Sequence, residues 1–137
     1  MVKEIIKDID VLQQKSTKFE FDDKNLIQDM LDTAEHYRYI CVGLAAIQIG
    51  VPKKVILVKI NNKFVPFINP TIFKKSRDTY LAREGCMSLE GQREVRRHYT
   101  IQVGYTTKDG KTEYKMFSGM TAQIIQHEID HLNGVLI

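Results

Sequence analysis

The sequence predicts an α+β fold: antiparallel strands around a central C-terminal helix that carries a metal-binding pattern, with an amphipathic helix nearer the N-terminus. Three observations predict it. Apolar residues around position 30 recur at helical spacing, and the middle of the chain alternates in short runs separated by turn signals. The last long run, "MTAQIIQHEIDHL", is apolar around most of its circumference, with Ile124, Ile125, Ile129 and Leu132 spread over several faces. A helix of that kind has to be central in the fold.

In chain order, Asp22 and Asp23 can cap a helix whose Leu26, Ile27, Met30, Leu31, Ala34 and Tyr37 share a 3.6-residue period, so a helix is expected over 23–37. "KKVILVKI" reads as a buried strand rich in β-branched residues. "NNK" turns it into a partner strand, "FVPFINP". Pro66 has no N–H to give to a ladder, which places that strand at an edge or gives it a bulge. "YTIQVGYTT" and "TEYKMFS" alternate as strands joined by the turn "KDGK". The last helix is expected to begin after Ser118 and to stop at Asn133-Gly134. Such short connections favour antiparallel hairpins over parallel crossovers. Residues 1–137 are expected to form one domain, with no internal repeat.

At 137 residues, 43% hydrophobic and 27% charged, the composition is that of an ordinary globular protein. The formal charge is +3, and part of it is gathered in "KK" pairs at 53–54 and 74–75 and in "QREVRRH" from Gln92 to His98. Such a distribution could suit an anionic surface such as RNA, but a solvated, mildly basic surface is the better reading. No nucleic-acid motif accompanies it, so no specific nucleic-acid site is expected. "MVKEIIKDID" has no apolar core of a secretory signal, and no apolar run approaches the roughly 20 residues that cross a bilayer. A cytoplasmic location, with Cys41 and Cys86 reduced, is the expectation.

The chemistry begins with "QHEIDHLNG". His127 and His131, four apart on a helix, can present two nitrogens to one ion. Glu128 is rotated by about 100° from His127, where a general base stands in the H-E-x-x-H pattern of zinc hydrolases. The alternative is a pair of hydrogen-bonded histidines beside an exposed glutamate. No residue after His131 can ligate, so a third ligand has to come from upstream. His36 and His98 sit in charged stretches expected to face solvent. Cys86, in "REGCMSLEG", is the better candidate, although it also reads as a buried thiol. A thiolate with two imidazoles would leave a fourth position open, as catalytic sites do. "GLAAIQIG" reads as a loop or strand pressed close to another element, with one polar amide at Gln48.

Taken together and in this order, "GLAAIQ", "EGCMS" and "HEIDH" resemble the three signature motifs of the peptide deformylases, and "VLQQKS" and "LEGQREV" extend the likeness over nearly the whole chain. The resemblance implies removal of the N-formyl group from the initiator methionine of nascent chains. It implies that Cys86, His127 and His131 hold one divalent metal, Fe(II) in the cell, with zinc, nickel or cobalt able to replace it. Glu128 would be the general acid/base, and Gln48 and the Met87 N–H would contact the formyl oxygen. Backbone around Val42 and Gly43 would pair with the substrate as an added strand.

Val42, Met120 and Ile124 are candidates for the methionine pocket, because Ile124 and Met120 stand one and two turns before His127. Asp130 is expected to pair with Arg97, or failing that Arg93, to hold the helix in place. A formyl-methionyl nascent peptide is the expected partner, with a transient ribosome contact, no membrane, and a monomeric state. Two departures from the family pattern stand out. Cys41 occupies the position of the motif's first glycine, and most of the usual C-terminal extension is missing. Two further readings are a catalytically weak homologue that binds metal and formyl-peptide, and a ribosome-associated module with a structural metal. Structural sites usually have four protein ligands, which weighs against the second.

Overall fold

A computed structural model describes all 137 residues. Its organisation follows from β2 (Val55–Ile60), in which Val55, Ile56, Leu57 and Val58 are all fully buried. Successive strand residues point to opposite faces. Ile56 and Val58 enter one apolar core, with Ile125 and Leu132, while Val55 and Leu57 enter another, with Leu26, Met30 and Ala34. A strand covered on both faces needs a continuous apolar run rather than an alternating one. The sheet containing β2 is therefore the middle of three layers. Helix α2 (Leu26–His36) lies on one side and α3 (Gly119–Leu132) on the other.

That sheet has five strands, in the order β1 (Gly43–Ala45), β2, β3 (Lys63–Lys75), β6 (Thr100–Thr106) and β7 (Thr112–Ser118), every neighbour antiparallel. The expected strand at "FVPFINP" is the first half of the longer β3. Over Lys63–Phe67 it has β2 on one side only, because pairing with β6 starts at Ile68. Pro66 thus sits on a half-edge, and bulges follow between Ile68 and Thr71 and between Ile72 and Lys74. Helix α2 is shorter than the 23–37 expected. The Asp23 carboxylate accepts from the N–H groups of Asn25 and Leu26, so it caps from outside the helix.

Three features had no counterpart in the sequence reading. Ile9–Leu12 forms a one-turn helix, α1. Ala46–Ile49 forms a turn of 3₁₀ helix directly after β1. The third matters most for the site: β4 (Thr79–Cys86) and β5 (Leu89–His98) form a separate two-stranded ribbon, joined at Met87 and Ser88. No helix is long and apolar enough to cross a membrane.

Candidate active site

The ribbon brings Cys86, at the end of β4, to the face of α3 that carries His127 and His131. The Cys86 Sγ and one nitrogen of each histidine lie within 4.8 Å of one another. The Nε2 atoms of the two histidines are 3.2 Å apart. His127 donates through Nδ1 to Glu84 Oε1 at 2.8 Å, which turns its Nε2 toward the Nε2 of His131. Two such nitrogens at this distance need a proton or a cation between them. Two nitrogens each about 2.0–2.1 Å from one tetrahedral ion would stand about 3.3 Å apart, so the pair fits a metal without rearrangement. The Ser88 N–H donates to Cys86 Sγ at 3.3 Å and holds the side chain in place. These donors fit a borderline-soft divalent ion and leave a position free.

Glu128 stands beside them, 4% exposed, with Oε1 lacking any hydrogen-bond partner. Burial pushes its carboxyl up to about 7. Gly43 explains how β1 passes so close to it. A β-carbon there would meet Glu128 Oε2 at 2.7 Å and Ile124 Cγ2 at 2.8 Å, so only glycine fits. Gln48 is equally enclosed. Its Oε1 accepts from the Ala45 N–H at 2.9 Å and its Nε2 donates to Ser88 Oγ at 3.2 Å, tying the first motif to the second. The second Nε2 proton stays available to a ligand.

Behind the histidines lies a buried ion-pair network. Arg97 grips Glu84 with two bonds, Nε to Oε2 at 3.0 Å and Nη2 to Oε1 at 2.7 Å, and donates through Nη1 to Asp130 Oδ2 at 2.6 Å. Burial works to raise the Glu84 carboxyl, but the bonds from His127 and Arg97 outweigh it and hold Glu84 well below the usual carboxylate range. The bonds to Cys86 and Glu84 likewise outweigh burial at His127 and raise it. His131 has no such partner, and burial lowers it.

A cleft of about 240 Å³ opens over these groups. Nine of the twelve residues singled out in the sequence line it, including Val42, Met87 and Met120. His131, Asp130 and Arg97 stand outside its lining. Ile124 is buried at its wall, whereas Val42 and Met120 are 54% and 65% exposed at its mouth. Asp130 meets Arg97; Arg93 instead donates to the Glu90 carbonyl. Of the other histidines, His36 is exposed, and His98 is half-buried with Nδ1 against the Ser76 carbonyl. Cys41 borders the cleft, but its thiol donates to the Gly43 carbonyl at 3.4 Å and is pushed up to about 12 by burial. Glu84 and Ser88 are the polar residues the sequence reading left without a role. Glu84 could have been noticed as an acid two positions before a ligand-type cysteine, but its partners lie 13 and 43 residues away.

The polypeptide deformylase family model matches residues 2–137. The chain is 44% identical over 137 residues to a peptide deformylase of Clostridium beijerinckii, covering all of both chains. It is 40% identical over 135 residues to that of Rhizobium meliloti, covering 92% of this chain and 76% of the other. Among solved structures, a peptide deformylase of Thermotoga maritima superposes with a TM-score of 0.90 at 35% identity, over 99% of this chain and 95% of that one. A class I type b peptide deformylase of Acinetobacter baumannii with Met-Ala-Ser bound superposes with a TM-score of 0.90 at 30% identity, over 99% and 97%. The chain belongs to the polypeptide deformylase family, enzymes that remove the N-formyl group from the initiator methionine of nascent polypeptides.

Proposed function

We propose that residues 1–137 act as one catalytic domain in which Cys86, His127 and His131 hold a single divalent metal and Glu128 moves the protons of formyl hydrolysis. The observation that carries the reading is the buried Glu128 carboxylate, with one oxygen unpartnered, beside three convergent donors, two of which, Cys86 and His127, line the cleft. A divalent metal bound by such a set supplies a Lewis acid and lowers the pKa of water from about 15.7 toward about 7. Glu128 takes a proton from the attacking water and later delivers it to the amine nitrogen as the carbon–nitrogen bond breaks. The products are formate and a free N-terminal amine. The free proton of Gln48 Nε2 and the Met87 N–H face the developing negative charge on the formyl oxygen, a contribution of about 10²- to 10³-fold in rate for one such donor. Glu84, Arg97 and Asp130 hold the imidazole of His127 and fix its tautomer.

The peptide lies along Val42 and Gly43 as an added strand, with its methionine side chain toward Met120 and Ile124. Support for a peptide ligand comes from the Acinetobacter baumannii enzyme, which binds Met-Ala-Ser in the same fold. The thiolate donor suits Fe(II), and zinc, nickel or cobalt could occupy the same donors. The protein works in the cytoplasm, as a monomer, in transient contact with the ribosome that presents its substrate.

The test is formate release from a formyl-Met-Ala-Ser peptide by protein prepared anaerobically with Fe(II), beside Glu128→Ala and an unformylated control. The expected outcome is a loss of about 10²- to 10⁴-fold in Glu128→Ala with metal content unchanged. Full activity in that variant would remove Glu128 from the chemistry.

A further inference from the structure

Across α3 from the cleft lies a second and larger groove, of about 640 Å³, walled by β3 and β5. Gln123, Ile124, His127 and Glu128 border the cleft, whereas Gln126, Ile129, Asp130 and Asn133 border the groove. At about 100° per residue these sets occupy opposite sides of the helix. The groove is strongly basic. Lys54, Lys74, Lys75, Arg96 and Arg97 line it, and Asp130 is its only carboxylate. That is a local excess of four positive charges, against three for the whole chain. Arg97 is consumed by Glu84 and Asp130. The other four cations have no ion-pair partner among the salt bridges of the protein. Lys74, Lys75 and Arg96 are exposed, and Phe73, 54% exposed, stands among them.

We propose that this groove binds the phosphate backbone of RNA without sequence preference, and that it seats the enzyme on ribosomal RNA while the cleft stays open to the nascent chain. The second clause rests on the ribosome contact proposed above. Lys74, Lys75 and Arg96 are long exposed side chains on two strands, and Lys54, half-buried, stands just before β2; separate cations spread this way match a line of phosphates better than one compact anion. An exposed aromatic ring among them suits stacking by an unpaired base. Contacts of this kind fix position and carry no sequence information. Because the groove and the cleft lie on opposite sides of α3, an occupied groove does not obstruct a peptide.

The experiment measures binding of a fluorescein-labelled single-stranded RNA of about 15 nucleotides by anisotropy at several salt concentrations. Four phosphate contacts predict a slope of log K against log salt of about −3, or affinity about 50-fold weaker at 200 mM than at 50 mM salt. The variant Lys74→Glu/Lys75→Glu/Arg96→Glu should lower that slope to about −1 and weaken binding at 50 mM salt by about tenfold or more. Its formate release from the free tripeptide should equal that of the wild type, while its rate on ribosomes carrying a formylated nascent chain should fall. Absence of RNA binding at 50 mM salt, or equal binding by the triple variant, would overturn the proposal. So would binding to anionic lipid vesicles with the same charge dependence and none to RNA. An unchanged rate on ribosomes would overturn its second clause. RNA binding does not depend on formate release, so failure of the catalytic reading would be seen separately in the tripeptide assay.

Discussion

The five-stranded sheet and the β4–β5 ribbon are held in place by different physics. Each face of the sheet is covered by an apolar core, and β2 is buried through four successive residues. The ribbon places no residue of either strand in those cores. Its buried residues are Ala82, Glu84 and Arg97, two of the three charged. Apolar burial therefore positions the histidines of α3, whereas a bidentate ion pair and its link to Asp130 position the hairpin that delivers Cys86. Ion pairs are directional and apolar contacts are not, so the ribbon gains in geometric definition what it lacks in buried apolar area.

Substitutions on the two sides separate these roles. The largest effect is expected for Arg97→Met, which leaves Glu84 buried beside His127 without its cation. Removing one partner of a buried pair costs about 3–5 kcal/mol, and loss of support behind a ligand lowers metal affinity by about 10- to 100-fold. Chemical denaturation and a competitive chelator titration measure the two. Leu57→Ala, fully buried in β2, should cost about 2–5 kcal/mol and leave metal affinity of the folded protein unchanged. If Leu57→Ala loosens the metal as much as Arg97→Met does, the division of labour is wrong.

The smallest effect is expected at Cys41. With its thiol raised to about 12, it stays protonated through the neutral range. The thiolate is the nucleophile, so iodoacetamide at pH 8 should modify Cys86 in the metal-free protein and spare Cys41. Labelling of Cys41 should appear only as the pH rises toward 12 or the protein unfolds. Mass spectrometry of the two cysteine peptides reads this directly, and rapid labelling of Cys41 at pH 8 would contradict its buried placement.

The contrast also explains what could be read from the sequence. Helix α2, β6 and α3 bury apolar residues at a regular period, and that period is visible in one dimension. In β2 the run was continuous because both faces are covered. The ribbon has no such period, since "TYLAREGC" and "LEGQREVRRH" place charges on both faces. Its strands are specified by pairing with each other and by Arg97 reaching Glu84 across 13 residues of chain. The candidate site was legible as motifs because each ligand sits in a short local pattern. The closeness of Gly43 to Glu128 was hidden, because that contact joins residues 85 positions apart.

Because neither strand of the ribbon enters a core, and only Met87 of its turn packs against one, the protein has a way to open short of unfolding. Local opening draws on segments with few buried apolar contacts. Peeling β4 and β5 from α3 would break the Arg97–Asp130 and Glu84–His127 bonds and carry Cys86 away from the histidines, with both cores intact. Inactivation and denaturation then become separate events. Amide hydrogens of Thr79–His98 would exchange before those of β2, and a chain that has lost its activity could still return from a native core.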